Sequence, residues 1–243
     1  MTFAKIDLQL IYSMRSETSK PETGWVFDQL ARSRRSIRGF LPQPVDPGVI
    51  EQVFETAAFA PSNCNTQPWQ SHVVSGDMRD RLSRIFMETI AAGKYSMDYP
   101  YDARYEGVFR QRQLDVGILL YQALGVTRED KEGKRQAFLR NLKFFDAPHA
   151  VFIFMPAWCG IREACDVGMY AQTLMLAMRA HGIASCPQTI LGYDADSVRR
   201  ELGIDSEMKL LFGISFGYKN SALPENQIVP ERAALGELVQ FHS

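Results

Sequence analysis

The sequence predicts an α+β fold in which one mixed domain holds nearly the whole chain. Runs of β-branched and aromatic residues typical of buried strands occur at 72–74, 149–155 and 209–217. The residues between these runs follow mainly helical spacing, and neither an internal repeat nor a domain linker interrupts them. We therefore expect an N-terminal arm over residues 1–24 and a single domain over residues 25–243.

Composition and charge are those of an ordinary folded protein. The 243 residues are 46% hydrophobic and 23% charged, which excludes a disordered or fibrous chain. A formal net charge of -1 creates no overall field toward nucleic acid or an anionic membrane, so neither partner is expected. The longest apolar runs are strand-sized and the N-terminus lacks the apolar stretch of a signal peptide, so a cytoplasmic location is expected.

Cysteine and histidine spacing gives no sign of a disulfide framework or a metal site. The four cysteines include no CxxC pair, and no histidine stands at metal-ligand spacing from a cysteine or carboxylate. We expect neither.

Helix boundaries follow from capping signals. Asp46 is a favourable N-cap before Pro47, and the helical spacing that follows must end at Pro61. His181 and Gly182 give a cationic last turn and a C′ glycine to the most apolar helix, which we expect at the centre of the domain. A short helix is expected after the arm, and longer helices at 77–93, 105–126, 130–143 and 161–180.

Four arginines within seven residues create a concentrated positive field in a nearly neutral chain. They are Arg32, Arg34, Arg35 and Arg38, with Ser36 among them. The guanidinium fork matches phosphate oxygens, and a serine hydroxyl adds a neutral donor. A solvated basic face is the alternative, and the arginines alone do not decide between the two.

A polar loop with two fixed ends follows the first long helix. The segment APSNCNTQPW at 60–69 places amide and hydroxyl side chains between two prolines, and we call its residues 61–67 the polar loop. Amides offer both donors and acceptors, so the loop could bind the edge of a heteroaromatic ring. Ordinary turn chemistry is the alternative, because Asn, Ser and Pro favour loops in any case.

The two features in this order, about twenty residues apart, resemble the N-terminal signature of the FMN-dependent nitroreductase family. Further matching pieces are the central apolar helix, residues 182–188, the strand at 211–218 and Arg232 in a late Pro-Glu-Arg. The resemblance spans roughly residues 26–241. It implies a central mixed, mainly antiparallel sheet flanked by helices, and a homodimer with FMN at the subunit interface.

The resemblance also implies particular roles at the phosphate end of the cofactor. Arg34, Ser36 and Arg232 match positions that hold the FMN phosphate, and Arg35 matches a position that contributes mainly through its backbone. The family often carries a second basic residue two or three positions before the late arginine, where this chain has Val229 and Pro230. The phosphate is therefore expected to rest on fewer charges here.

At the ring end, the resemblance implies three sets of contacts. Arg38 matches a cation beside the pyrimidine edge of the flavin. Pro187 and Gln188 match a segment whose backbone faces the reactive side of the ring near N5. The loop that lines the cofactor, partly from the partner subunit in family members, matches Pro61, Ser62, Asn63, Asn65 and Gln67.

The implied activity is a ping-pong, two-electron hydride transfer from NAD(P)H through FMN to a nitroaromatic or quinone acceptor. No side-chain nucleophile is needed for such chemistry. The aromatic-rich stretch 94–113 is expected to form a lid and a pocket for a small aromatic acceptor, where Arg110 or Arg112 could pair with a nitrobenzoate carboxylate. The apolar patch 235–241 could extend across a partner subunit or fold on its own subunit.

Other readings stay open at this point. Relatives of the same fold perform dehalogenation, enone reduction or dehydrogenation, and a flavin-binding protein without turnover is a further class. Gly213–Gly217 fits the G-x-S-x-G elbow of serine hydrolases, but the residues after Ser215 do not resemble a helix, so we expect a chance match within a strand. Cys64 is expected to be a small core residue rather than a redox thiol.

Overall fold

The computed structural model describes residues 22–101 and 104–242, and the chain divides into two compact units, residues 1–34 and 35–243. In the first unit the described residues form helix α1 (Glu22–Ser33), and the Arg34 N–H donates to the carbonyl of Leu30 at 3.1 Å. Residues 1–21 of the expected N-terminal arm lie outside the described residues. The division of the chain at residue 24 stays a prediction.

The second unit is built on a four-stranded sheet whose strands come from distant parts of the chain. The strands are β1 (Gln70–Ser75), β2 (His149–Pro156), β3 (Ala184–Gln188) and β4 (Met208–Gly217). They pair antiparallel in the order β1-β2-β4-β3, so β2 and β4 are central and β3 is an edge. In the described residues, parallel pairing occurs only as isolated bridges, Ser36 with Ser185 and Ser96 with Asp194.

Helices cover both faces of this sheet. They are α2 (Pro47–Ala57), α3 (Gly76–Thr89), α4 (Gly107–Ala123), α5 (Lys131–Leu142), α6 (Ile161–Ala180), α7 (Ala195–Leu202) and the short α8 (Leu235–Leu238). Short 3₁₀ turns at Asn63–Asn65, Phe144–Asp146, Thr189–Gly192 and Pro224–Gln227 connect them.

Two hydrophobic cores result from the alternation of side chains along the central strands. Val151 and Ile153 of β2 pack with the buried faces of α2 and α6, while Phe152 and Phe154 pack with α3, α5 and α7 on the other side. Helix α6 carries eight buried residues, which confirms its expected central position.

Local signals account for the helix ends that the sequence predicts. The Asp46 carboxylate accepts from the Gly48 N–H at 2.8 Å and so caps α2 as expected. Helix α6 has the predicted bounds, and Gly182 follows it with a φ of 74°. Helix α3 ends at Thr89, earlier than residue 93, in a turn where Gly93 also has positive φ.

Three elements were not predicted: β3, α7 and the four-residue α8. Strand β3 has five residues with a proline among them, and α7 has eight residues of which four are charged. Both are too short and too polar to show a periodic pattern.

Of the helices in the described residues, none combines the length and apolar character that crossing a bilayer requires. The 20-residue α6 carries Arg162, Glu163, Asp166 and Arg179.

Candidate functional site

The segment that carries the arginine motif runs beside the sheet edge. Ser36 forms a parallel bridge with Ser185 of β3, and the Ile37 N–H donates to the Ser185 carbonyl at 3.1 Å. Ile37 is buried, whereas Ser36 and Arg38 on either side of it are half-buried. Because side chains alternate in an extended segment, burying Ile37 turns Ser36 and Arg38 toward the opposite side.

Three side chains far along the chain fix the backbone around Arg38; we call Arg140, Glu225 and Asn226 the clamp. The Arg38 N–H donates to Asn226 Oδ1 at 2.8 Å, and its carbonyl accepts from Arg140 Nη2 at 2.7 Å. Asn226 Nδ2 also donates to the Gly39 carbonyl at 2.7 Å. Arg140 forms an ion pair with Glu225, whose side chain is 4% exposed. The clamp therefore holds the Arg38 backbone through both its N–H and its carbonyl.

No sequence pattern indicates the clamp. Arg140 lies 102 residues from Arg38, and Asn226 lies 188 residues from it. Glu225 and Asn226 stand in a stretch that reads as a polar tail, and no local pattern marks them as buried.

The polar loop, residues 61–67, has an unusual backbone. Cys64, Asn65 and Gln67 have φ values of 50°, 57° and 47°, a region that residues other than glycine rarely adopt. The Gln67 N–H donates to Ser62 Oγ at 2.9 Å, which closes the loop on itself. The side chains of Asn63, Asn65 and Gln67 are exposed, as ligand-binding amides must be. Cys64 is exposed too, so the expectation of a core residue was wrong.

Helix α6 supports the loop at both of its ends. The buried carboxylate of Asp166 accepts from the Asn63 N–H at 3.0 Å. Beyond the loop, Trp69 stacks on Tyr170 with ring centroids 4.7 Å apart, and the Tyr170 hydroxyl shares a hydrogen bond with Ser71 at 2.9 Å. Burial raises the pKa of Tyr170, and the bond to Ser71 opposes this only in part, so the phenol stays protonated.

The predicted residues of β3 differ in what they can offer a ligand. Pro187 is exposed on the edge strand, where its missing N–H breaks no ladder. The Gln188 side chain is buried; its Nε2 donates to the Asn141 carbonyl at 3.1 Å, and its Oε1 accepts from Ser215 Oγ. Only the backbone of Gln188 is therefore available, as the resemblance implies.

Ser215 is fully buried inside β4, paired with Ala150 and Cys186 across the sheet. A nucleophile elbow requires an exposed serine at a strand-to-helix turn. The hydrolase reading is wrong, and the motif is a chance match.

Arg232 lines a cavity of about 810 Å³ between α4 and residues 229–238. Its Nη1 donates to the carbonyls of Pro230 and Glu231, each at 3.2 Å. Arg112 also lines the cavity and pairs with Glu237 at 3.1 Å. The cavity walls are otherwise largely apolar, with Val108, Val116, Ile118, Leu119, Val229 and Leu238 among them.

Within the stretch expected to act as a lid, residues 94–101 and 104–106 are irregular, and α4 begins at Gly107. Tyr95 packs edge-on against Tyr193 with ring centroids 5.7 Å apart. Tyr99, Tyr101, Tyr105 and Phe109 are exposed. Arg110 donates to Gln113 on its own helix. The aromatic surface exists, and its role as a lid stays a prediction.

The structure thus places the predicted residues in separate groups. Ser36, Arg38, Pro187 and Gln188 share one sheet edge, residues 61–67 form the polar loop on α6, and Arg232 lies at the α4 cavity. Arg34 is the last residue of the first unit. The first group combines a cation with a hydroxyl, whereas the polar loop carries uncharged amides.

Comparison with known proteins gives a consistent result. Residues 31–218 match the model of the nitroreductase family. The chain is 44% identical over 215 residues to nitroreductase NfnB of Mycolicibacterium smegmatis, covering 88% of this chain and 92% of that protein. It is 31% identical over 215 residues to a 4-nitrobenzoate reductase of Pseudomonas putida, covering 86% and 93%.

A solved structure agrees with these relatives. The FMN-dependent nitroreductase NfnB from Mycobacterium smegmatis, in complex with NADPH, superposes with a TM-score of 0.88 at 43% identity, covering 91% of this chain and all of the other.

Proposed function

This chain belongs to the nitroreductase family, and on that premise we propose that it is an FMN-dependent NAD(P)H oxidoreductase that reduces nitroaromatic or quinone acceptors. The observation that carries this assignment is 44% identity to a nitroreductase over 88% of the chain. The fold expected from the arginine motif and the polar loop is confirmed with it. Similarity to a 4-nitrobenzoate reductase favours nitro reduction over the other reactions of the fold.

The donor set at the sheet edge suits the phosphate of FMN. A phosphate with nearly two negative charges binds best to guanidinium forks and hydroxyls. Ser36 is half-buried on a backbone that β3 holds in place, and Arg35 precedes it directly. Arg34 and Arg232 are further phosphate ligands in this proposal. Val229 and Pro230 add no charge beside Arg232, so we expect the phosphate to rest mainly on the arginine motif.

Bound FMN supplies the hydride chemistry, because N5 of the flavin both accepts and donates hydride. In our assignment Arg38 lies at the pyrimidine edge of the ring, where its cation stabilises the negative charge that accompanies electron uptake. The clamp keeps Arg38 in position for this. Pro187 and the backbone of Gln188 would border the ring near N5. The amides of the polar loop would bind the polar atoms of the pyrimidine ring that Arg38 does not contact.

We assign the acceptor pocket to the aromatic stretch 94–113. A nitroaromatic ring would stack on exposed tyrosines there, such as Tyr99 or Tyr105. Arg112 is the candidate partner for a nitrobenzoate carboxylate, and that carboxylate would replace Glu237 in the present ion pair.

A homodimer with FMN at the subunit interface accounts for the exposed apolar surface of α4. This 17-residue helix has no buried residue, and even its apolar side chains Phe109 and Ile118 are 63% and 52% exposed. The tail exposes Leu235, Leu238 and Phe241 in addition. A helix with this much exposed apolar surface normally packs against another element. A second copy of the chain is the partner we propose.

The dimer is tested by adding a charge to that surface. Ile118→Glu should yield monomers in sedimentation velocity and weaken FMN binding, because burial of a carboxylate opposes association. Gln113→Glu adds the same charge to the same helix at a polar position and should stay dimeric. An Ile118→Glu protein that sediments as the unaltered one does would contradict this interface.

None of the four cysteines, all of which lie within the described residues, forms a disulfide, and we propose that the protein is cytoplasmic.

The activity is tested with the purified protein reconstituted with FMN. Anaerobic NADH or NADPH should bleach the visible flavin absorption, and nitrobenzene, 4-nitrobenzoate or a quinone should restore it. Bleaching that only a halogenated aromatic or an enone reverses would favour another reaction of the fold. A bound flavin that neither nicotinamide bleaches would indicate a binding protein without turnover.

A further inference from the structure

The polar loop adopts a conformation that it would not adopt on its own. Cys64, Asn65 and Gln67 all have positive φ, a region in which any residue other than glycine is strained. Backbone strain of this kind persists only where the surroundings impose it. Except for the half-buried Ser62, residues 61–67 are exposed on this subunit, so its hydrophobic core does not impose the strain.

The Asp166 carboxylate is placed to impose it. Oδ2 accepts from the Asn63 N–H at 3.0 Å, at the residue that opens the 3₁₀ turn Asn63–Asn65. Asp166 itself is 5% exposed and projects from α6, whose neighbouring Val167 and Tyr170 are buried in the core. A hydrogen bond to a charged group is among the stronger hydrogen bonds in proteins, so it can offset the cost of the strained residues.

The predicted flavin-binding loop is therefore tied through one carboxylate to α6, which has more buried residues than any other helix in the described residues. Asn63 is the first amide of the loop, and the bond holds its main chain rather than its side chain. The Asn63 side-chain amide stays available for a ligand. Ser62 Oγ then fixes the other end of the loop through the Gln67 N–H.

We propose that Asp166 is a positioning residue that holds residues 61–67 ready to receive FMN before the cofactor binds. This inference rests on the proposed function, because it assigns the loop to FMN. Asp166 does not touch the cofactor. It acts through the Asn63 main chain, and without it FMN must order the loop itself, which lowers the affinity.

The test is the dissociation constant of the apoprotein for FMN, measured by quenching of flavin fluorescence. Asp166→Ala should weaken binding between about 5-fold and 100-fold, because the loop loses its anchor. Asp166→Asn keeps an oxygen acceptor for the Asn63 N–H and should stay within about 3-fold of the unaltered protein.

Asp194→Ala is the matched control for stability. Asp194 is equally buried, accepts from the Ser197 N–H at 3.2 Å, and binds Thr89 and Ser96, but contacts nothing in the loop. It should lower the thermal midpoint of the apoprotein more than Asp166→Ala does, yet leave the FMN dissociation constant unchanged. Loss of affinity in proportion to loss of stability in both variants would overturn the proposal.

A second pair of variants tests the same bond from the loop. Asn63→Ala and Asn63→Pro both remove the side-chain amide, but only proline removes the N–H that Asp166 accepts. The proline variant should bind FMN at least about 5-fold more weakly than the alanine variant. Equal affinities would contradict the role of Asp166. Failure of the unaltered apoprotein to bind FMN at all would contradict the proposed function instead.

Discussion

The arginine motif and the polar loop hold comparable numbers of predicted flavin contacts, but the chain supports them in opposite ways. Residues 36–38 of the motif have no positive φ, are bridged to β3 and are held by the buried clamp. The loop is strained, exposed and held mainly by Asp166 and Ser62. Changes at the clamp should therefore damage stability first, whereas changes at the loop should damage cofactor affinity first.

The largest effect is expected from Arg140→Ala. It leaves the Glu225 carboxylate buried without its cation, so the free energy of unfolding should fall by about 3–5 kcal/mol in urea denaturation. Arg135→Ala on the same helix removes an exposed pair with Glu132 and should cost less than about 1 kcal/mol. Equal losses of unfolding free energy in the two variants would show that Arg140 does not stabilise the fold through Glu225.

A smaller loss of stability is expected from Asn226→Ala. The variant deprives the Arg38 N–H and the Gly39 carbonyl of their partner in a buried place, which should cost about 2–3 kcal/mol. Gln227→Ala is the neighbouring control, because Gln227 is exposed and bonds only the Ser221 carbonyl at 2.8 Å among the contacts described. If Asn226→Ala unfolds at the same urea concentration as Gln227→Ala, Asn226 does not hold the motif.

The smallest change in stability is expected from Ser62→Ala in the polar loop. The Gln67 N–H loses its acceptor but meets water, so unfolding should change by less than about 1 kcal/mol. FMN affinity should nevertheless fall severalfold, since the loop is no longer closed. The surface variant Ser206→Ala should change neither quantity. If Ser62→Ala lowers the stability but not the FMN affinity, the loop serves the fold rather than cofactor binding, contrary to this prediction.

The same contrast explains how far the sequence predicts the molecule. Local signals sufficed for the cap at Asp46, the bounds of α6 and the two motifs, because each depends on neighbouring residues. The short β3 and α7 lacked a periodic pattern, and Cys64 was misplaced because its loop conformation depends on α6.

The residues that hold the site were missed for a related reason. Arg140, Asn226 and Asp166 act over separations of 102 to 188 residues, which no local pattern can report. The sequence therefore marks candidate ligand contacts but not the groups that hold them in place.

The central claim is that the arginine motif binds a phosphate and the polar loop binds a flavin ring in one site. Titration of the apoprotein with FMN and with riboflavin tests it most directly, because the two ligands share the ring and differ only in the phosphate. We predict that FMN binds at least about 100-fold more tightly, as expected from two or more charge-assisted hydrogen bonds. Equal affinity for the two ligands would contradict the claim.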